Sequence, residues 1–257
     1  MNVPFDVRLM NITASVLFAL CLLMALAAGA WWVLRQPMFP LATIRVDGQV
    51  THNNAVTFRT NVAPRLAGNF FTVDLAATRS AFESVPWVRK AVVRREFPDK
   101  LRVTLSEHQA IAYWGEEAES RLVNSFGEVF EANTAEVDED LPRLRGPIEQ
   151  AGQVFGMYRT LQPLFEPYDL KLERLTLTAR GSWKAELDTG AEVELGRGQG
   201  DEVAARTQRF LRTLGQVTSK YGRTIDSLES ADLRHNDAYA LRMRGITTVA
   251  VVDPKKK

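Results

Sequence analysis

Cysteine is almost absent from this sequence of 257 residues, and the only one, Cys21, lies in an apolar segment near the N-terminus. The chain beyond that segment therefore offers no disulfide, no thiolate nucleophile and no thiolate ligand. Histidine is nearly as scarce. His52, His108 and His235 lie far apart in the sequence, and none has a second metal-binding residue at helical or hairpin spacing. We therefore predict no metal site.

The sequence also lacks an excess of either charge, because 32 lysines and arginines nearly balance 31 aspartates and glutamates, for a net charge of +1. Such a balance creates no large field that would attract a polyanion. We therefore predict no nucleic-acid partner.

Recognisable catalytic and nucleotide-binding motifs are missing as well. The glycine-rich segment 196–200 is followed by Asp201 and Glu202, which would repel phosphate, and not by the Lys and Ser or Thr of a Walker loop. No G-x-S-x-G motif marks a nucleophilic serine. We predict no catalytic residue, no cofactor and no small-molecule substrate.

One long uncharged run is present, from Ile12 to Leu34. As a helix it would be ~34 Å long, enough to cross a hydrocarbon layer of ~30 Å. Trp31, Trp32 and Arg35 follow in the order expected where a span reaches the headgroups. We predict a transmembrane helix over residues 12–34, after a tail of residues 1–11 that we assign to the cytoplasm because it is so short.

A cleaved signal sequence is the alternative interpretation, since Ala28-Gly29-Ala30 fits a peptidase site of small residues. The apolar run is longer than the core of a signal peptide, and residues 1–11 carry little positive charge. Both features favour an uncleaved anchor.

The rest of the chain predicts an α+β protein of two modules. After a spacer over residues 35–43, residues 44–108 predict two helices on a three-stranded sheet, with Asp74 as one helix cap and a hairpin turn at Pro98-Asp99-Lys100. Residues 109–252 predict a mostly antiparallel β domain with one or two helices, one of them capped by Asp201. Its last predicted strands cover residues 238–244 and 247–252, before a polar tail over 253–257.

The first module resembles a POTRA domain, and the hairpin carries the resemblance. It follows the pattern W-V-x-x-A-x-V-x-R-x-x-P-x-x-L-x-V-x-L-x-E from Trp87 to Glu107. The order of anchor, POTRA module and β domain, with ARGSW at 179–183, ELGRG at 194–198 and SADLRHN at 230–236, resembles the FtsQ/DivIB family over essentially the whole chain.

This resemblance implies a cell-division scaffold of the bacterial inner membrane, at the septum, with one transmembrane helix and periplasmic modules. It implies binding of FtsB, together with FtsL, at the far end of the β domain. Arg180 and Arg234 match family arginines that meet FtsB carboxylates, although each is alternatively a solvated surface charge. Asp232 is expected to brace a neighbouring turn or arginine. The full set predicted to bind FtsB is Arg180, Arg234, His235, Asn236, Asp237, Tyr239 and Met243.

By the same resemblance the POTRA module contacts other divisome membrane proteins. Its basic hairpin is the predicted face, through Arg89, Lys90, Arg94 and Arg95. A second hypothesis for the whole chain is a POTRA-type chaperone or transport accessory that pairs transiently with unfolded polypeptides. Outer-membrane POTRA proteins have repeated modules and a large barrel, and residues after 108 predict neither.

Overall fold

The structure is a computed structural model that describes residues 5–36, 38–48, 50–116, 120–137, 140–220, 222–235 and 239–245. The chain divides into two compact units between Glu107 and His108. The predicted strand over 247–252 and the polar tail lie outside the described residues.

Helix α1 spans Phe5–Leu34, so the described part of the predicted tail is already helical. Within its portion Leu9–Leu34, the most apolar stretch has a mean hydropathy of 2.3, and no part of that stretch is buried by the other described residues. At ~1.5 Å per residue this portion exceeds the ~30 Å of a bilayer core. By length and composition α1 can therefore cross a membrane.

The first unit continues as the predicted POTRA module. Its elements are β1 (Thr43–Gly48), α2 (Ala55–Asn61), α3 (Leu75–Glu83), β2 (Val88–Glu96) and β3 (Lys100–Glu107). The three strands form one sheet in the order β1-β3-β2, with β1 parallel and β2 antiparallel to β3. Asn54 and Asp74 cap the two helices by accepting bonds from backbone N–H groups of their first turns. The prediction of two helices on a three-stranded sheet is confirmed.

Both helices pack on one face of this sheet. Phe58 of α2 and Phe82 of α3 lie 5.5 Å apart between ring centroids, over the buried Val103 and Leu105 of β3. Full burial of one such side chain contributes about 1.5–3 kcal/mol. The alternation of Leu101, Val103 and Leu105 with polar residues in β3 thus reflects core packing on one side and solvent on the other.

Glu107, the last residue of the POTRA pattern, joins β3 to the segment before α2. Its carboxylate accepts bonds from the backbone N–H groups of Thr51, His52 and Asn53, and from the Asn53 side chain at 3.0 Å. Burial alone would raise the pKa of Glu107, but these donors outweigh it and hold the pKa below the ordinary value of 4.5. The glutamate of the pattern therefore has a structural role.

The second unit is built on one nine-stranded sheet in the order β12-β11-β10-β9-β8-β7-β4-β5-β6. The strands are β4 (Ala110–Trp114), β5 (Arg121–Asn124), β6 (Val129–Glu131), β7 (Arg143–Arg145), β8 (Leu172–Leu177), β9 (Ser182–Leu187), β10 (Glu192–Arg197), β11 (Leu228–Asp232) and β12 (Ala240–Met243). The ladders β4–β7, β7–β8 and β10–β11 are parallel, and the others are antiparallel. The predicted α+β class, with a mostly antiparallel second module, is confirmed.

Two helices, α4 (Ala151–Phe165) and α5 (Gly200–Lys220), complete the core of this unit. Side chains of both helices share one buried cluster with alternate residues of the central strands, Trp183 among them. The prediction that Asp201 caps α5 was wrong, because the helix begins at Gly200 and Asp201 lies in its first turn, where a negative charge complements the helix dipole.

Candidate functional site

The outermost strand at one edge of the described sheet is β12. It pairs with β11 in antiparallel register, with Ala240 opposite Asp232 and Arg242 opposite Ser230. The N–H of Arg244 donates to the carbonyl of Ser227, at 2.7 Å. Because backbone groups alternate in direction along a strand, those of Leu241 and Met243 point away from β11. This side of β12 presents donors and acceptors for another strand.

The side chains of β12 explain what each predicted contact residue can offer. Met243 is buried and Leu241 partly buried against the core, so both face inwards. Tyr239 lies edge-on to Phe210 of α5, with 5.5 Å between ring centroids, and its hydroxyl bonds to that of Thr213. The side chains of Tyr239 and Met243 thus support the edge from inside. The predicted contacts Asn236 and Asp237 lie outside the described residues.

Arg234 follows β11 directly and is held by Asp232. The guanidinium donates to both carboxylate oxygens, from Nη2 to Oδ2 at 2.6 Å and from Nε to Oδ1 at 2.9 Å. This charge-assisted bonding lowers the pKa of Asp232 to about 2. The side chain of Arg234 remains 58% exposed, so the expected bracing by Asp232 is observed and leaves the arginine available to a partner.

A tight packing arrangement positions the backbone of Arg234. Gly196 of β10 has φ +84°, and a Cβ added there would lie 3.3 Å from the Cα of Arg234. The same Cβ would lie 2.7 Å from Nη1 of Arg206, whose guanidinium bonds to the carbonyls of Leu195 and Arg197. Arg206 on α5 is a supporting residue that the sequence analysis missed, and no local spacing signals it.

Strand register places Arg180 at the same end of the sheet as Arg234. Arg180 is exposed in the turn between β8 and β9, where Gly181 adopts φ +75°. Ser182 is opposite Arg197 at the end of β10, and Glu194 of β10 is opposite Asp232 at the end of β11. The exposed His235 follows Arg234. The structure therefore brings Arg180, Arg234 and His235 to the end of the sheet where β12 begins.

The predicted POTRA contact face is divided between the two sides of the hairpin. Lys90 and Arg94 are exposed on the side of the sheet opposite the helices, and Arg89 lies at the bulge beside them. Arg95 instead donates to the carbonyls of Phe70, at 2.8 Å, and Val73, at 2.7 Å. Its guanidinium thus fixes the loop before α3.

Comparison with known proteins adds independent information. Residues 112–234 match the family model described as "Cell division protein FtsQ/DivIB, C-terminal", and residues 39–108 match "POTRA domain, FtsQ-type". A protein of Burkholderia pseudomallei named "Cell division protein FtsQ" is 42% identical over 98% of this chain and 99% of its own length. Proteins of the same name from Thiomonas arsenitoxydans and Bordetella pertussis are 36% and 37% identical over 95% and 93% of this chain, and over 90% and 92% of their own lengths.

The apolar helix, the POTRA module and the β domain together define a POTRA protein with a single candidate membrane anchor among its described residues. The matches of both modules to family models, and the relatives that are similar over nearly the whole chain, identify the family within this class. The chain belongs to the FtsQ/DivIB family of cell-division proteins.

Proposed function

We propose that this chain is a non-enzymatic scaffold of the division septum, anchored once in the inner membrane with its N-terminus in the cytoplasm and both modules in the periplasm. Its β domain binds FtsB, together with FtsL, and so links early and late division proteins. The observation that supports this most directly is the edge strand β12, which begins opposite Asp232, two residues before the exposed Arg234.

The two parts of this edge supply different components of recognition. A partner segment in extended conformation bonds to the outward N–H and C=O groups of β12, which pair with no other strand among the described residues, and this gives affinity without dependence on sequence. Arg234 and Arg180 add selectivity, since a guanidinium donates to carboxylates in a planar, often bidentate geometry. The partner segment is therefore expected to carry acidic residues near the end that meets Ala240.

Charge reversal tests this arrangement. The full chain in detergent is titrated with the periplasmic part of FtsB. Arg180→Glu and Arg234→Glu are each expected to weaken binding by about 10-fold or more, or ~1.4 kcal/mol, because the new carboxylate repels the acidic residues of the partner. Lys171→Glu is the matched control, because Lys171 is exposed just before β8, at the end opposite Arg180. The affinity of the Lys171→Glu variant for FtsB should stay at the wild-type value.

Two results would contradict the proposal. One is FtsB binding that withstands both arginine reversals, which would place the interface elsewhere. The other is broad capture of unfolded polypeptides that the reversals leave unchanged, which would indicate a chaperone or transport accessory.

The POTRA hairpin provides a second proposed surface, for other divisome membrane proteins. The basis is the exposed pair Lys90 and Arg94 on the side of the sheet opposite the helices. The double variant Lys90→Glu, Arg94→Glu should lose crosslinks to those proteins while it keeps full affinity for FtsB. Loss of both would show that the two surfaces are not separate.

A further inference from the structure

The spacer after α1 is bonded to the POTRA module. Asn69, itself 8% exposed, donates from Nδ2 to the carbonyls of Leu34, at 2.8 Å, and Gln36, at 3.0 Å. Leu34 is the last residue of α1, where carbonyls lack helical partners. Two backbone bonds add to this, from Phe70 to Phe39 and from Ala42 to Asp99, each at 3.0 Å. The end of α1 thus connects directly to the loop before α3, and the spacer connects to the β2–β3 turn.

The loop that carries Asn69 is itself fixed. The Asn69 Oδ1 accepts from the N–H groups of Phe71 and Thr72 and from the Thr72 hydroxyl, at 2.9–3.0 Å. On the other side Arg95 holds the carbonyls of Phe70 and Val73. The orientation of Phe71 relative to the end of α1 is therefore determined by hydrogen bonds at both ends of the loop.

Large apolar side chains are exposed at this end of the module. Met38, Phe71 and Phe97 are 77%, 39% and 82% exposed. Ring contacts connect Phe71 and Phe97 through Phe70, at 5.1 and 6.4 Å between ring centroids, and Phe39, next to Met38 in the sequence, contacts Phe71 at 5.0 Å. We call Met38, Phe39, Phe71 and Phe97 the aromatic patch, which packs on the buried Phe70.

The anchor helix indicates what the patch meets. Trp31 and Trp32 precede the end of α1, and the guanidinium of Arg35 lies 3.6 Å from the ring centroid of Trp31. Such a sequence marks the boundary between hydrocarbon and headgroups. Met38 and Phe39 follow within a few residues, and the exposed Arg94 and Lys100 lie three residues before and after Phe97 in the sequence. Apolar rings beside cations suit an interface of acyl chains and anionic headgroups.

We propose that the aromatic patch inserts into the lipid interface of the leaflet from which α1 emerges, so that the POTRA module lies against the membrane. The inserted rings reach the boundary of headgroups and acyl chains, ~5–10 Å deep. The proposal rests on α1 as a membrane span and is independent of FtsB binding.

The test uses the full chain with Cys21→Ser, reconstituted into vesicles of phosphatidylethanolamine and phosphatidylglycerol. A single cysteine replaces Lys100, leaves Phe97 intact and carries an environment-sensitive fluorophore. The matched control places the same label at Val56, which is 72% exposed near the end of the module where Gly48 and Glu107 lie. We expect blue-shifted emission at position 100, with severalfold weaker quenching by iodide and stronger quenching by nitroxide lipids than at position 56.

In the chain labelled at position 100, Phe97→Asp should return the label to water. The fold should be kept, because Phe97 is exposed. Labels that are equally aqueous at both positions, or shielding at position 100 that survives Phe97→Asp, would overturn the proposal. Shielding that fades as the protein is diluted in lipid would also overturn it, by indicating contact between copies of the chain. FtsB affinity should be unchanged in Phe97→Asp, which keeps this result separate from the proposed scaffold function.

Discussion

Arg234 and Asp232 form a forked ion pair at the end of β11, where the guanidinium Nε contacts both carboxylate oxygens, at 2.9 and 3.1 Å. The same carboxylate accepts from the backbone N–H of Arg234, at 3.0 Å. Asp232 therefore fixes both the chain direction and the side-chain orientation of the arginine proposed to meet FtsB.

Asp232→Asn should lower FtsB affinity more than it lowers stability. The pair is partly exposed, so we expect a change of less than ~1 kcal/mol in the free energy of unfolding. Asn can still accept the backbone bond but loses the ionic fork, and Arg234 must then be ordered on binding. That cost corresponds to a loss of about 2-fold to 10-fold in affinity. A titration that shows tighter binding would instead mean that Asp232 competes with the partner's carboxylates.

The pH dependence of this pair follows from the lowered pKa of Asp232, about 2 against an ordinary 3.8. Its contribution to stability is fully present above pH 3.8 and is lost as the pH falls through about 2. The fork should therefore remain intact from pH 5 to pH 8. In a His235→Gln background, which removes the histidine that interacts with Asp232, Asp232→Asn should not alter the pH profile of FtsB binding there. A difference between the two profiles in that range would contradict the assignment.

Gly196→Ala should displace Arg234 as well as destabilise the domain. A non-glycine residue at positive φ costs about 1–2 kcal/mol, and the new Cβ would also contact Arg206 and Arg234. Gly222→Ala is the matched control, since Gly222 has φ +63° with nothing within 4 Å of its Cβ. Thermal unfolding should rank Gly196→Ala as the less stable variant, and only that variant should lose FtsB affinity. Equal losses of stability and of FtsB affinity in the two variants would contradict a role for this packing in positioning Arg234.

Leu241→Pro tests whether the backbone of β12 pairs with the partner. Proline removes the outward N–H of residue 241 but takes no bond from β11, a substitution that edge strands tolerate. Leu241→Ala is the control, because it shortens the same side chain and keeps the N–H. FtsB binding should fall well below that of the alanine variant, while far-UV circular dichroism stays the same. Equal affinities would limit recognition to side chains.

The local elements were largely predictable, because periodicity and caps are properties of short segments. The Asp74 cap, the alternation of Leu101 and Val103 and the turn at Pro98 were all evident from sequence spacing. The assignment of Asp201 as a cap failed because the helix starts at Gly200, two residues earlier than a cap at Asp201 requires.

Relationships between distant segments were not predictable in the same way. Sequence spacing does not relate Arg206 to Arg197, or Asn69 to Leu34, since those contacts depend on how helices and strands pack. Met243 was predicted as a contact residue by resemblance, and only the strand register shows its side chain buried with its backbone outward. Likewise, the sequence did not show that Arg95 bonds to the loop before α3 while Arg94 faces solvent, because this depends on which side of the hairpin each residue occupies.

Glu107→Gln should weaken the POTRA module, because a neutral amide replaces a carboxylate that accepts from several N–H groups. We expect a loss of about 1–3 kcal/mol in unfolding free energy. Since the folded-state pKa of Glu107 lies below 4.5, its contribution is present above that pH and is lost on acidification below it. Denaturant titrations of the full chain should therefore show a flatter acid limb in the variant. Glu96→Gln is the control, because the described side-chain contact of Glu96 is a surface pair with Arg102.

Asn69→Asp should release the POTRA module from the end of α1 while the loop before α3 stays folded. The aspartate keeps an oxygen for the N–H groups of Phe71 and Thr72, but it loses the Nδ2 donor to Leu34 and Gln36. Its charge is also unfavourable beside helix C-terminal carbonyls. In a bilayer, hydrogen exchange at the Phe70 and Ala42 amides should accelerate several-fold.

Asn61→Asp is the matched control, since the Asn61 side chain donates only to the exposed carbonyl of Thr57 in the described structure. Amides at Phe70 and Ala42 should exchange there as in the unmodified chain. If Asn69→Asp leaves their exchange unchanged as well, the Asn69 side chain does not hold the module to the anchor. If the amides of α3 exchange faster too, the loop has unfolded, and the bonds to Phe71 and Thr72 matter more than the connection to α1.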